Sequence, residues 1–148
     1  MNLVFGSDHA GFELRTELAQ EAKAYGHTVV EVGATSTEPY DYPDASDLVA
    51  QAILRGHSEM GVLICGTGIG VSIRANRYDG IRAAVCCSVE TASLARLHNH
   101  ANVLCIGART TSVELAKEIL KTFLETGEDG QERHVRRVEK LDGSKVSV

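Results

Sequence analysis

Short apolar segments alternate along this chain with longer amphipathic ones, and this alternation restricts its fold more than any other feature. The apolar segments predict strands at residues 3–5, 28–32, 61–65, 81–86 and 103–106. The amphipathic segments predict helices at residues 12–24, 43–55, 90–98 and 113–126, and a short last helix within 131–140. Strands that alternate with helices through short connections form a parallel sheet with helices on both faces. We therefore expect an α/β fold with a five-stranded parallel sheet, in one domain over residues 1–148, whereas the strand order does not follow from the alternation.

Composition excludes several classes of function. A chain of 148 residues can bury a core without a metal or a disulfide. The formal net charge of −5 argues against a basic surface for nucleic acid, so we expect no nucleic-acid partner. No apolar run approaches the ~20 residues of a membrane span, and Met1 leads directly into the first predicted strand. We expect a cytoplasmic protein with no membrane association and no signal peptide.

The four cysteines occupy two kinds of position. Cys86, Cys87 and Cys105 lie in or at the ends of apolar runs, where a cysteine is usually a small buried hydrophobic residue. Cys65 instead ends a predicted strand directly before a glycine-rich loop. There is no CxxC pair and no Cys/His spacing typical of zinc, so we expect no metal and no cofactor, and a reducing compartment.

Ligands of open parallel sheets bind beyond the carboxyl ends of the strands. The residues that follow the first, third and fifth predicted strands are unusually polar and rich in glycine, and they comprise residues 7–11, 65–70 and 107–109. The loop Gly66-Thr67-Gly68-Ile69-Gly70 allows backbone N–H groups to approach an anion closely. Such a loop suits a phosphate or the oxygens of an enediolate, although a tight strand–helix turn without a ligand is about as common.

Acid–base and cationic side chains follow in three places. Asp8 and His9 can orient hydroxyl groups or move protons, and Asp8 can equally cap the next helix. His98-Asn99-His100 ends a predicted helix, where we interpret His100 as a surface residue. Arg133 and Arg137 share one face of the last helix beside His134; this face could clamp a phosphate, or it could pair with glutamates in solvent.

Taken together, these segments resemble the family of ribose-5-phosphate isomerase B and its sister sugar-phosphate isomerases. The resemblance rests on segments that occur in family order over nearly the whole chain: Gly6-Ser7-Asp8-His9-Ala10-Gly11, Asp41-Tyr42-Pro43, Ile64-Cys65-Gly66-Thr67-Gly68-Ile69-Gly70, Ala75-Asn76-Arg77, Gly80-Ile81-Arg82-Ala83, His98-Asn99, Asn102-Val103-Leu104, Gly107-Ala108-Arg109, Arg133-His134 and Arg137-Val138. The resemblance implies a three-layer Rossmann-like sandwich. It also implies a homodimer, or a tetramer, with composite active sites and without a metal or cofactor.

The resemblance further implies a role for each site residue. Cys65 would be the base that removes the proton beside the carbonyl, and His98 would protonate the ring oxygen with support from Asp8 and Thr67. The Gly66–Gly70 backbone, including Gly68 and Ile69, would bind the enediolate with help from Asn99. Sugar hydroxyls would contact Asp8, His9 and Tyr42, and the phosphate would be held by Arg109, Arg133, His134 and Arg137. The implied reaction is the interconversion of ribose 5-phosphate and ribulose 5-phosphate.

Three alternatives remain open at this point. The substrate could be allose 6-phosphate, galactose 6-phosphate or a tetrose phosphate, although the terminal Arg-His-x-x-Arg pattern favours ribose 5-phosphate. The chain could be a non-catalytic module that binds a sugar phosphate. A thiol redox protein is the weakest of the three, because the adjacent Cys86 and Cys87 would form a strained disulfide.

Overall fold

The computed structural model of the chain describes residues 1–143, which form a five-stranded parallel sheet. The strands are β1 (Asn2–Ser7), β2 (Thr28–Gly33), β3 (Met60–Cys65), β4 (Ala83–Val85) and β5 (Val103–Gly107). Their spatial order is β2-β1-β3-β5-β4, and every neighbouring pair is parallel. The prediction of an α/β fold with five parallel strands is therefore confirmed.

Six helices within residues 1–143 connect and cover the strands. They are α1 (Phe12–Ala24), α2 (Tyr42–Leu54), α3 (Ile69–Ala75), α4 (Val89–Asn99), α5 (Val113–Glu125) and α6 (Glu132–Leu141). Local chemistry sets several of their starts: Pro43 lies in the first turn of α2, and Ser112 accepts a hydrogen bond from the backbone N–H of Leu115. Ser88 and Thr91 form a reciprocal capping box at the start of α4.

The side chains of the central strands alternate between two hydrophobic cores. Phe5, Ile64 and Ile106 point towards the layer of α1, α4 and α5. Leu63 and Cys105 point to the opposite layer, where α2 and α3 cover them. Burial on both faces explains why these strands read as continuous apolar runs. The arrangement is the three-layer sandwich that the resemblance implied.

Two predictions about the fourth strand are wrong. The strand covers Ala83–Val85 rather than 81–86, because the N–H of Ile81 donates to Tyr78 in a turn and the N–H of Arg82 donates to the Asn102 side chain. Cys87 is exposed rather than buried, because it lies in the turn between this edge strand and α4.

Within residues 1–143, none of the helices combines the length and the apolar character that crossing a membrane requires. The single domain over residues 1–148 stays a prediction, since its last five residues lie outside the described part.

Candidate active site

The carboxyl ends of β1, β3 and β5 form one side of an open pocket of about 480 Å³. Strand order changes direction here, because β2 lies on one side of β1 and the later strands lie on the other. Such switch points are the usual ligand sites of open parallel sheets. The pocket is lined by Asp8, Tyr42, Cys65, Gly66, Thr67, Ile69, Gly70, Ile73 and Arg109. The structure therefore brings together half of the residues in the three predicted segments 7–11, 65–70 and 107–109, and adds Ile73, which the sequence analysis missed.

Cys65 differs from the other buried cysteines in its surroundings. Its Sγ accepts a hydrogen bond of 3.2 Å from the backbone N–H of Gly68, and an N–H donor stabilises negative charge on sulfur. Burial raises the pKa of Cys86 to about 11 and also raises the pKa of Cys105, so both thiols stay protonated at neutral pH. Among the four cysteines, Cys65 is the one that lines this pocket.

Backbone contacts fix the glycine-rich loop to the end of β5. The N–H of Ala108 donates to Cys65 and the N–H of Arg109 donates to Gly66, at 2.8 and 2.9 Å. Gly68 has a φ of +77°, and a Cβ there would lie 3.0 Å from the backbone of Ile106. Only glycine combines this conformation with this close approach. The loop is therefore held rigidly beside the Cys65 thiol.

Asp8 and His9 are both engaged in local hydrogen bonds. Asp8 is buried and lines the pocket, and its Oδ1 accepts from the N–H of Gly11 at 3.0 Å. Gly11 precedes α1, so this bond closes the turn before the helix and does not cap the N–H groups of its first turn, as the alternative interpretation of Asp8 predicted. The Nδ1 of His9 lies 3.1 Å from the backbone nitrogen of Tyr40 and 3.3 Å from its carbonyl oxygen, so a hydrogen bond joins the ring to Tyr40 in either tautomer. This bond ties His9 to the segment that leads into Tyr42.

The segment that contains Asp8 and His9 follows β1, and buried Arg15 binds the carboxyl end of that strand. Its guanidinium donates to Ser7 Oγ at 3.1 Å and to the carbonyls of Val32 and Ala34, each at 2.8 Å. Arg15 thereby links the carboxyl ends of β1 and β2, next to Asp8 in sequence. It is a structural residue that the sequence analysis did not identify.

The remaining predicted residues lie at the opposite end of the sheet, near the amino ends of the strands. Helix α4 runs back from the carboxyl end of β4, so His98 and Asn99 at its end precede the amino end of β5. Five residues of strand rise roughly 17 Å, which separates this end from Cys65. Asn99 lines a different pocket, of about 380 Å³, together with Asn76, Arg82 and Leu141. One chain therefore does not bring His98 and Asn99 to the Cys65 pocket.

Side chains of α6 lie next to His98 at the end of α4. His134 and Val138 form its buried face, whereas Arg133 and Arg137 are exposed. The His134 ring lies 4.4 Å from the His98 ring between centroids, and its Nδ1 lies 3.1 Å from Asp129 Oδ2. The five predicted residues of this group, His98, Asn99, Arg133, His134 and Arg137, thus share one region formed by α4 and α6.

Two residues here differ from the sequence analysis. His100 is not a surface residue: its side chain is 12% exposed, and its Nε2 donates to the carbonyl of Asp129 at 3.0 Å. Asp129 was missed, because Asp129-Gly130 before a helix is typical of an ordinary turn. Only its contacts across the fold mark it as part of this region.

No group of three or more His, Cys, Asp or Glu side chains within residues 1–143 is arranged to hold a metal ion. The pocket at Cys65 instead offers a thiol, a carboxylate, a hydroxyl and the cationic Arg109. These groups can move protons on a small polar anion.

Comparison with known proteins adds a consistent set of likenesses. Residues 3–141 match the family described as Ribose/Galactose Isomerase. The chain is 43% identical over 139 residues to ribose-5-phosphate isomerase B of Escherichia coli K12, covering 94% of this chain and 93% of that protein. It is 39% identical over 140 residues to a putative sugar phosphate isomerase of Rickettsia conorii, covering 95% and 96%.

Solved structures agree. Ribose-5-phosphate isomerase B of Clostridium thermocellum superposes with a TM-score of 0.94 at 42% identity, covering 96% of this chain and 95% of that one. The enzyme of Thermotoga maritima gives 0.92 at 46% identity, covering 95% and 97%.

Proposed function

The chain belongs to the ribose/galactose isomerase family, and we propose that it interconverts ribose 5-phosphate and ribulose 5-phosphate through an enediolate. The observation that carries the proposal is the Cys65 thiol, which lies at the carboxyl end of β3 against a rigid glycine-rich loop. Isomerisation of an aldose requires a base beside the carbonyl and donors for the developing oxyanion. Cys65 and this loop supply that pair of functions.

In the proposed proton transfer, the Cys65 thiolate removes the proton from C2 of the open-chain aldose. The C2–H electron pair becomes the C1–C2 double bond, and the carbonyl π electrons move onto O1, which forms the enediolate. The thiol then returns a proton to C1 while the O2 proton moves to O1, which leaves the ketose. The backbone of residues 66–70 and the Asn99 side chain of a second copy of the chain are the proposed partners of the enediolate oxygens.

Ring opening precedes this transfer, because ribose 5-phosphate is mainly a furanose. We assign the acid to His98, which protonates the ring oxygen as the C1–O4 bond breaks. The C1 hydroxyl loses its proton at the same time, and Asp8 and Thr67 lie in the pocket where they can assist that loss. His9 and Tyr42, which flank the same segment, are the proposed contacts to the remaining hydroxyls.

Cationic side chains are the proposed phosphate ligands. Arg109 lies in the Cys65 pocket, whereas Arg133, His134 and Arg137 lie on α6. Guanidinium groups match the geometry and charge of a phosphate dianion. Binding the phosphate away from the reacting carbons provides orientation for both chemical steps.

This mechanism requires two copies of the chain. Cys65 and His98 lie at opposite ends of the sheet, so both reach one substrate only if a second copy places its α4–α6 region over the Cys65 pocket. Ile69 and Ile73 on the pocket wall are each 55% exposed, which supports burial of this rim against a partner. We therefore propose a homodimer whose active sites combine both chains, alone or within a tetramer.

Another aldose phosphate is the second candidate, because the matching family is described by galactose as well as ribose. Purified protein should be assayed with ribose 5-phosphate, allose 6-phosphate, galactose 6-phosphate, erythrose 4-phosphate and unphosphorylated ribose. We expect the highest kcat/KM with ribose 5-phosphate and almost no turnover of free ribose. Preference for a hexose phosphate would correct the substrate, and binding of sugar phosphates without turnover would identify a non-catalytic module.

A further inference from the structure

Asp129, His134 and His98 form a continuous row of side chains between α6 and the end of α4. The Asp129 carboxylate accepts the hydrogen bond of His134 Nδ1–H, with 3.1 Å between Oδ2 and Nδ1. The His134 ring packs against the His98 ring at 4.4 Å between centroids, with the two planes tilted by 41°. His134 is only 5% exposed, so its ring lies within the protein rather than in solvent.

The backbone on both sides of Asp129 is bound to the end of α4. The N–H of Asp129 donates to the carbonyl of Leu97 at 3.2 Å, and the carbonyl of Asp129 accepts from His100 Nε2 at 3.0 Å. Arg96 donates to the carbonyl of Thr126 at 3.2 Å. Arg96 and Leu97 before His98, and His100 two residues after it, are thus bonded to the segment that carries Asp129.

The Asp129 carboxylate is itself oriented and ionised. Its Oδ1 accepts from the N–H of Gln131 at 2.8 Å, which leaves Oδ2 directed at His134. The bond from Gln131, supported by the nearby His134 and Arg133, lowers the pKa of Asp129 below its ordinary value. Asp129 is therefore a carboxylate throughout the neutral range and holds the proton of His134 on Nδ1.

His98 lacks a comparable support of its own. Among the hydrogen bonds of residues 1–143, none involves a side-chain atom of His98. An imidazole without such a bond can rotate about χ2 unless packing prevents it. The buried ring of His134 is the aromatic neighbour that restricts this rotation.

We propose that Asp129 and His134 are positioning residues that hold the His98 imidazole in the orientation required to protonate the furanose oxygen. The inference rests on the proposed ring-opening role of His98. Asp129 orients His134 through a hydrogen bond, and His134 orients His98 through ring packing. Both residues act on ring opening and leave the proton transfer at Cys65 unaffected.

A substrate that cannot form a ring separates these two steps. 4-Deoxyribose 5-phosphate lacks the hydroxyl oxygen that closes the furanose, but it keeps the aldehyde, C2 and the phosphate. Asp129→Asn should lower kcat for ribose 5-phosphate by about 10²-fold, the order of loss that a misplaced catalytic group causes, while KM changes little. The same variant should convert 4-deoxyribose 5-phosphate at the wild-type rate, which also shows that it is folded.

Glu128→Gln is the matched control. It removes the neighbouring carboxylate, which is half-exposed and contacts Arg96 and His100 but not His134, and it should convert both substrates as the wild type does. Equal losses on both substrates in Asp129→Asn, or no loss on either, would overturn the inference.

His134→Asn provides a second route to the same answer, because asparagine can still donate to Asp129 but has no ring to pack on His98. We expect kcat to fall for ribose 5-phosphate alone, while KM rises for both substrates because His134 is also a proposed phosphate ligand. A rise in KM for both substrates with kcat for ribose 5-phosphate unchanged would make His134 a phosphate ligand only and would reject its positioning role. Failure of the wild type to convert ribose 5-phosphate would reject the proposed function itself. That result is distinct from every outcome with the Asp129→Asn and His134→Asn variants.

Discussion

At the scale of single residues, the surroundings of the four cysteines agree with the distinct sequence position of Cys65. Cys65 belongs to the same hydrophobic core as Cys105, but it also lines the pocket and its Sγ accepts from the Gly68 N–H, whereas Cys86 and Cys105 do not line this pocket. Burial raises the pKa of Cys86 and Cys105, so their reactive thiolates form only at pH values well above neutrality. Cys87 is exposed and has no place in the site.

This difference predicts the pattern of alkylation by iodoacetamide at neutral pH. In a Cys87→Ser variant, which should keep wild-type activity, a single modification should occur at Cys65 and abolish turnover in proportion to labelling. Ribose 5-phosphate should slow the modification because it occupies the same pocket. Peptide mass spectrometry that finds Cys86 or Cys105 labelled before Cys65, or full activity after Cys65 is labelled, would contradict the account.

Sequence reasoning at this scale succeeded where position along a strand determines position in space. Asp8, Cys65 and Arg109 each follow the carboxyl end of a strand, and parallel pairing brings such positions together. The contacts of Asp129 with His134 and Leu97 join α6 to α4, and no local pattern records such contacts. The burial of His134 could not be predicted for the same reason.

At the scale of elements, α6 separates its arginines onto different sides. Its buried stripe contains His134 and Val138, and the 3.6-residue repeat places Arg133 and Arg137 along one flank of that stripe. The same repeat places Arg136 on the opposite, solvent-facing side. Arg136 and Arg137 are therefore neighbours in sequence with different surroundings.

Substitution of these two arginines tests the proposed phosphate site. A charged hydrogen bond contributes about 1.5–3 kcal/mol, so Arg137→Ala should raise KM for ribose 5-phosphate by about ten- to hundredfold. Arg136→Ala removes the same charge and should leave KM within about twofold of the wild type, since exposed charges contribute little. Steady-state kinetics in which Arg136 carries the effect, or in which neither residue does, would remove α6 from phosphate binding.

Element boundaries were predictable where the apolar period ends at a clear signal. Helix α1 covers the predicted residues 12–24, and α6 falls within one residue of the predicted segment. The fourth strand is shorter than its apolar run because Asn102, distant in sequence, takes the N–H of Arg82 from the sheet. The periodicity of apolar residues gives no information about hydrogen-bond partners that are distant in sequence.

At the scale of the whole molecule, the strand order determines which site residues can meet. The alternation of strands and helices predicts a parallel sheet, but many orders satisfy it. The observed order places Asp8 beside Cys65, whereas His98 lies near the amino ends of the strands because α4 runs back from the carboxyl end of β4. The division of the site into two regions is therefore a property of topology, and it underlies the proposal of a composite dimer.

Subunit mixing tests this division. Cys65→Ser and His98→Ala should each be inactive as homodimers. After equal amounts are unfolded together and refolded, half of the dimers are mixed and each mixed dimer has one intact site, so about a quarter of wild-type activity should return. Mixing Cys65→Ser with a Cys65→Ser/His98→Ala double variant is the control and should restore nothing. If equal mixtures of the single variants also stay inactive, each site lies within one chain.

The central claim is that Cys65 moves a proton between C2 and C1 of the sugar phosphate. Conversion of ribose 5-phosphate in D2O, followed by NMR of C1 in the ribulose 5-phosphate formed, measures that transfer directly. The account predicts deuterium at C1 with the wild-type protein, because the thiol exchanges its proton with solvent. It predicts a rate of incorporation lower by about 10³-fold with Cys65→Ser. Formation of ribulose 5-phosphate by Cys65→Ser at the wild-type rate, with or without deuterium at C1, would contradict it.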